Sequence, residues 1–234
     1  VQQKIIRGAG GVAISAEISG EPTARTVVLL HALGDRGADW GAVARALATN
    51  FQVVNVDLRG HGNSDWSDSY SFELMRDDVI ALLDALELSE VVLIGHSMGG
   101  VVAYLLAQAE PNRIAALIVE DASPPYPRTR PLPQRPEGDL PFDWAVVESI
   151  APQVNDPSRR WWTHLPDITA PTLLIGGGPT SHVPQELLAE VAQLIPNSTL
   201  ITLDAGHNIH HSLPEEFIAA VMAWLGDRHF SHRK

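Results

Sequence analysis

Unbroken apolar runs alternate with stretches of helical spacing along most of this chain. Residues 26–31, 51–57, 91–94, 114–121, 172–175 and 199–203 carry the runs. Strands buried on both faces require this texture, whereas half-exposed strands alternate. Between the runs, residues 39–49, 71–86, 101–108, 185–194 and 215–225 place apolar positions at helical intervals, and Ser71 opens the second stretch as an N-cap. Two shorter β-like stretches, 4–7 and 12–18, flank Gly8-Ala9-Gly10-Gly11 and predict a hairpin. Strand-then-helix order repeated along a chain predicts a mostly parallel α/β sheet, here of about eight strands, with right-handed crossovers. The texture breaks near residue 122. Residues 123–141 are rich in proline, poor in aliphatics and free of helical period, and regular α/β texture returns at Pro171. The expected organisation is a core made of 1–121 and 168–234, with a small Pro/Trp-rich cap inserted at 122–167.

Composition narrows the partners. A chain of 234 residues with 45% hydrophobic content fills one sizeable core. The net charge of −12 argues against nucleic acid and anionic membrane surfaces, which need a basic footprint. With no cysteine there is no disulfide, thiolate metal site or cysteine nucleophile. No apolar run approaches the ~20 residues of a membrane span. The N-terminus lacks a basic-then-apolar leader and begins at Val1, which reads as a removed leader or tag; a soluble, cytoplasmic protein is expected. No His/carboxylate clustering marks a metal site, and Gly176-Gly177-Gly178 lacks the following Lys of a phosphate loop. No metal and no cofactor are therefore expected.

The chemistry concentrates at Gly95-His96-Ser97-Met98-Gly99, which ends one apolar run and opens a small-residue helix. A serine on a sharp strand-to-helix turn is lifted above the sheet end, and Gly95 and Gly99 let strand and helix approach. Serine is a weak nucleophile and needs a base held by an acid. His207, after the last predicted strand, is the candidate base, and Gly206 frees the backbone to turn there. His96 should point away from Ser97 Oγ. His210 and His211 read as surface residues or supports beside the site, and His31, His61, His164 and His182 as loop or packing residues. The backbone N–H groups of Met98 and Leu33 are the expected oxyanion donors.

With His31-Ala32-Leu33-Gly34, Asp57-Leu58-Arg59-Gly60-His61-Gly62-Asn63-Ser64, Gly95–Gly100 and Gly206-His207, the chain resembles the α/β-hydrolase fold family over essentially its whole length. In that pattern Asp57, Arg59 and Ser64 are structural residues of their turn. Two departures stand out. Ala32 replaces the usual glycine. The loop that usually carries the acid, 176–184, has no carboxylate, only Thr180 or Ser181. Either the triad is degraded and has no working acid, or the acid comes from the end of the preceding strand, as in some small esterases of the family; that strand here offers Asp121, 24 residues after Ser97, with Glu120 as the alternative.

The cap holds Phe142, Trp144, Trp161 and Trp162. Trp144, Trp161 and Trp162 are expected either to wall a pocket for an apolar acyl or ring part, or to glue the cap to the core. Arg128, Arg130, Arg135, Arg159 and Arg160 either meet an anionic substrate or keep the cap soluble. The resemblance implies a serine hydrolase of small-molecule esters, lactones or thioesters acting through an acyl-serine. Two alternatives are a low-turnover binding or biosynthetic helper, and a cofactor-free perhydrolase or C–C hydrolase. A serine nucleophile argues against alkyl-halide and epoxide chemistry.

Overall fold

The computed structural model describes residues 1–228 and 230. Eight strands form one sheet: β1 (Gln2–Arg7), β2 (Ala13–Ser19), β3 (Thr26–Leu30), β4 (Gln52–Val56), β5 (Val91–His96), β6 (Ile114–Glu120), β7 (Thr172–Gly176) and β8 (Ser198–Thr202). Their order across the sheet is β1-β2-β4-β3-β5-β6-β7-β8. The predicted hairpin is present, and β2 also pairs antiparallel with β4; every other pairing is parallel. The unbroken apolar runs have the expected cause. In β3, Val28 and Leu30 face one core while Val27 and Leu29 face the other.

The helices are α1 (Gly41–Leu47), α2 (Phe72–Ala85), α3 (Met98–Ala109), α4 (Ala145–Asn155), α5 (Arg160–Thr163), α6 (Gln185–Leu194), α7 (Ile209–Ser212) and α8 (Pro214–Asp227). Helices α2, α3 and α6 cover one face of the sheet. Helices α1 and α8 cover the other through Leu47, Phe217 and Val221. Ser71 caps α2 by accepting the Leu74 N–H at 3.0 Å. No described helix is long and apolar enough to cross a membrane.

Several boundaries shift from the sequence reading. Helix α3 begins at Met98 rather than 101, because the elbow passes directly into it. The first predicted helix, 39–49, resolves into a 3-10 turn at Gly37–Trp40 followed by the shorter α1. The 122–167 segment keeps its irregular first half but forms α4 and α5 in its second.

That segment is fastened to the core at several points. Tyr70 donates to Asp143 Oδ2 at 2.6 Å, Gln153 Nε2 donates to Glu73 Oε2 at 2.7 Å, and Phe142 stacks on His61 with ring centroids 5.3 Å apart. Below it, Arg59 grips Asp78 of α2 through two hydrogen bonds of 2.6 and 2.7 Å, both partners being fully buried. Asp57 accepts the N–H groups of Gly37 and Asn63 at 2.7 and 2.8 Å. These two residues lock the turn after β4.

Candidate active site

Strand β5 sits in the middle of the parallel sheet, and its C-terminal end runs straight into Ser97. Ser97 adopts φ 52° and ψ −113°, outside the ordinary helical and extended regions. Such a backbone costs about 1–3 kcal/mol and persists only where its surroundings over-determine it. Here those surroundings are two glycines. A Cβ on Gly95 would lie 2.4 Å from the Gly99 carbonyl oxygen, and one on Gly99 would lie 2.4 Å from the Leu30 carbonyl oxygen. Only glycine lets β5, α3 and β3 approach this closely. The Ser97 N–H donates to the Glu120 carbonyl at 3.2 Å, tying the elbow to the end of β6.

Immediately beyond β6, Asp121 also has a positive φ, 42°. Its carboxylate is fully buried and accepts from four directions. His207 Nδ1–H and the Ser181 hydroxyl reach Oδ2 at 2.7 and 2.5 Å, and the Gly177 N–H and Gln185 Nε2 reach Oδ1 at 2.8 and 3.1 Å. Burial alone would raise the Asp121 pKa, but these donors outweigh it and hold the carboxyl below its ordinary value. The loop that lacks a carboxylate thus supplies two of the four donors, Gly177 and Ser181, and Gln185 at the start of α6 supplies a third, to a carboxylate that comes from elsewhere.

His207 arrives on the β8–α7 loop, where Gly206 takes φ 74°. His96 supports that loop from within the sheet: its Nε2–H donates to the His207 carbonyl at 2.9 Å. Burial lowers the His96 pKa to about 4, so its ring is neutral at pH 7. On the outer side the exposed His182 ring lies 4.1 Å from the His207 ring, a contact absent from the sequence reading.

Glu120, the alternative acid, goes elsewhere. It is fully buried and accepts from His210, through the backbone N–H at 2.9 Å and through Nδ1 at 2.8 Å. Burial raises its pKa, but the imidazoles of His96 and His210 and these hydrogen bonds hold it below the ordinary carboxylate value. Of the two places expected for His210, the surface or a support beside the site, the structure gives the second: it is buried, stacked on Trp40 at 4.0 Å. The reason is Glu120, whose sealed carboxylate needs a donor that the sequence reading did not supply. His96, Glu120 and His210 offer ligand atoms within 4.8 Å of one another. The Glu120–His210 contacts have hydrogen-bond lengths, as expected of a proton shared between them.

The loop bearing Leu33 is pinned by two neutral histidines. His31 donates from Nδ1 to the Ala32 carbonyl at 2.7 Å and accepts the Leu58 N–H on Nε2 at 3.0 Å. His61 accepts the Gly34 N–H on Nε2 at 3.2 Å and donates from Nδ1 to the Arg59 carbonyl at 3.0 Å. Burial lowers their pKa values to about 4 and about 3. Among the described residues neither the Leu33 nor the Met98 N–H donates a hydrogen bond, so both remain available to a ligand. A cavity of about 240 Å³ opens here, lined among others by Leu33, Ser97, Met98 and Asp121.

A family model described as "Alpha/beta hydrolase family" matches residues 27–220. The chain belongs to the alpha/beta hydrolase family. It is 28% identical to a putative esterase/lipase of Haemophilus influenzae, covering 85% of this chain and 82% of that one. It is also 28% identical to the mouse sn-1-specific diacylglycerol lipase ABHD11, covering 89% and 83%. Among solved structures it resembles a thermophilic esterase from Thermogutta terrifontis, solved with malate bound. That match has a TM-score of 0.81 and 25% identity, and covers 99% of this chain and 100% of that one. The chain is a hydrolase, and these three relatives are named esterases or lipases.

Within this alpha/beta hydrolase the three cap tryptophans do not line the cavity. Trp161 is buried edge-on against Phe72 at 5.4 Å and donates to Glu73 at 3.2 Å, while Phe72 itself reaches the cavity. Trp162 donates to the Pro125 carbonyl at 2.8 Å, and Trp144 lies 6.2 Å from Phe142. They hold the cap down; the apolar wall comes from smaller residues such as Val101, Ile150 and Val154. Their cause is local: the proline-rich segment has few aliphatics to bury, so large rings anchor it.

Proposed function

We propose that this alpha/beta hydrolase is a carboxylesterase-type serine hydrolase. Ser97 Oγ attacks the ester carbonyl while His207 Nε2 takes its proton. Asp121 keeps His207 in the tautomer with hydrogen on Nδ1 and stabilises the imidazolium that forms. The N–H groups of Leu33 and Met98 receive the charge that develops on the carbonyl oxygen. His207 then returns the proton to the leaving alcohol, and water activated by the same histidine releases the acyl group from Ser97. The observation that carries this reading is the 2.7 Å contact between His207 Nδ1 and a carboxylate holding three further donors. A low-turnover binding role was motivated by the missing loop carboxylate. Ala32 was its second motive; the contact between Asp121 and His207 weighs against the first and favours the hydrolase reading.

The experiment is stoichiometric labelling by a fluorophosphonate. Wild type should label rapidly, Ser97→Ala not at all, and His207→Ala and Asp121→Asn slowly. A folded wild-type protein that fails to label would reject the serine mechanism.

A further inference from the structure

The cavity wall carries a charge pattern that a neutral ester does not use. Arg128 and Arg130 both line it, on the irregular part of the cap. The chain as a whole is strongly acidic, with 28 Asp and Glu against 16 Lys and Arg. Yet among the described residues neither arginine has a carboxylate partner within ion-pair distance. The one acidic residue on the cavity wall, Asp121, is already occupied by His207, Ser181, Gly177 and Gln185. Arg128 Nε is buried with no hydrogen-bond partner, and its guanidinium lies 5.1 Å from the centroid of the Tyr126 ring. A buried, unpaired guanidinium nitrogen is costly unless a ligand satisfies it.

The backbone of this stretch is held for the purpose. Asn155, the last residue of α4, accepts the Arg128 N–H through its carbonyl at 2.9 Å. Its side chain accepts the Arg130 N–H at 3.0 Å and donates to the Arg130 carbonyl at 2.8 Å. A proline-rich loop has no ladder of its own, so these three bonds fix where both arginines leave the chain. The two charges also reach the catalytic end of the cavity. With burial first and the His207 ring second, Arg130 and Arg128 help hold the His182 pKa below its ordinary value. His182 in turn touches His207.

We infer that the substrate is a short ester carrying a free carboxylate, which Arg128 and Arg130 bind while Ser97 attacks the ester carbonyl. Guanidinium is suited to this, because its planar fork matches a carboxylate in a two-bond geometry. The volume of about 240 Å³ lies below the ~300 Å³ where drug-sized pockets begin, which suits a substrate with a few carbons between ester and acid. The inference rests on the serine-ester reading above and names its substrate class.

The test compares matched pairs of esters. Monoethyl glutarate is set against ethyl valerate for a carboxylate on the acyl side. 4-Acetoxybutanoate is set against butyl acetate for one on the alcohol side. All four are followed by pH-stat with wild type, Arg130→Met and Arg128→Met/Arg130→Met. Wild type should favour the anionic member of at least one pair by about tenfold or more in kcat/KM, and the double variant should lower that ratio about 10- to 100-fold. Arg130 is exposed, so Arg130→Met alone keeps the test in hand if the double variant does not fold. Turnover of the neutral esters with no anionic preference would overturn the carboxylate inference and leave the esterase reading standing. Should no ester turn over, calorimetry of monoethyl glutarate on Ser97→Ala, with and without Arg128→Met, decides the matter. Binding that depends on Arg128 would support the carboxylate site while the esterase reading falls, and absent binding would overturn both.

Discussion

Glu120 and Asp121 are consecutive carboxylates at the end of one strand, each hydrogen-bonded to its own histidine, yet they live in different chemical worlds. Asp121–His207 lies beside the cavity, with the histidine half-buried and its ring touched by the exposed His182. Glu120–His210 is sealed on both members and covered by Trp40. The strand's alternation sends one side chain to each face, and the positive φ of Asp121 then turns the chain away. The lesson is that a carboxylate–histidine pair has no catalytic meaning by itself. In the proposed mechanism a cavity wall shared with Ser97 gives the Asp121 pair its role, while the Glu120 pair anchors the start of α7 just past His207 through the His210 N–H.

The largest expected effect separates the two pairs directly. Asp121→Asn should reduce kcat by roughly 10⁴, because the amide presents the wrong hydrogen to His207 and leaves the imidazolium unsupported. Glu120→Gln should instead act on the fold, costing about 1.5–3 kcal/mol by weakening hydrogen bonds to a buried charged group. Its kcat, measured per folded molecule, should fall far less, since His96 still holds the His207 carbonyl. Steady-state kinetics and urea unfolding on both variants check this. If the two patterns came out exchanged, Glu120 would be the acid.

Acidification probes the sealed side next. His31, His61 and His96 are kept neutral by burial, with pKa values of about 4, about 3 and about 4 against 6.5 in the unfolded chain. Below pH 6.5 the unfolded chain binds protons that the folded one refuses, so stability falls as pH falls. Each such histidine contributes up to about 1.4 kcal/mol per pH unit through this window. Asp121 and Glu120, both held below their ordinary values, add loss of the same sign once pH drops below about 4. Urea midpoints taken from pH 7.5 to pH 4.5 should therefore fall steadily. A flat profile would mean these rings are not held neutral.

The parallel core was legible because its signal is physical and local. Strands buried on both faces cannot hide their apolar runs, and Gly95 and Gly99 are required by contacts that the elbow motif predicts. The hidden parts share a different property. Burial of His210 depends on Glu120, ninety positions away, and the stack on Trp40 joins two distant segments that no spacing rule connects. The tryptophans stayed between two readings for a related reason: an aromatic over a site and an aromatic gluing a cap have the same sequence signature. Trp161 chose Phe72 and Glu73 of α2 as neighbours, and only the docked cap reveals this.

Ser181 gives the smallest and most diagnostic effect. The sequence reading set it where an acid was expected, and its hydroxyl instead donates to Asp121 at 2.5 Å. Ser181→Ala removes one of four donors from Asp121. That loss should raise the Asp121 pKa toward its ordinary value, because a hydrogen bond to the charged form is gone. The remaining donors limit the fall in kcat to about tenfold, within the worth of one hydrogen bond to a charged group. Ser181→Thr keeps a hydroxyl and should restore the wild-type rate, which loss of packing alone would not predict. Ser181→Asp should do more harm than Ser181→Ala, because a second carboxylate beside Asp121 raises the pKa of one of the pair. With Asp121, just past β6, as the proposed acid, the loop after β7 has to stay neutral, and kinetics of the three variants across the acid limb read that requirement directly.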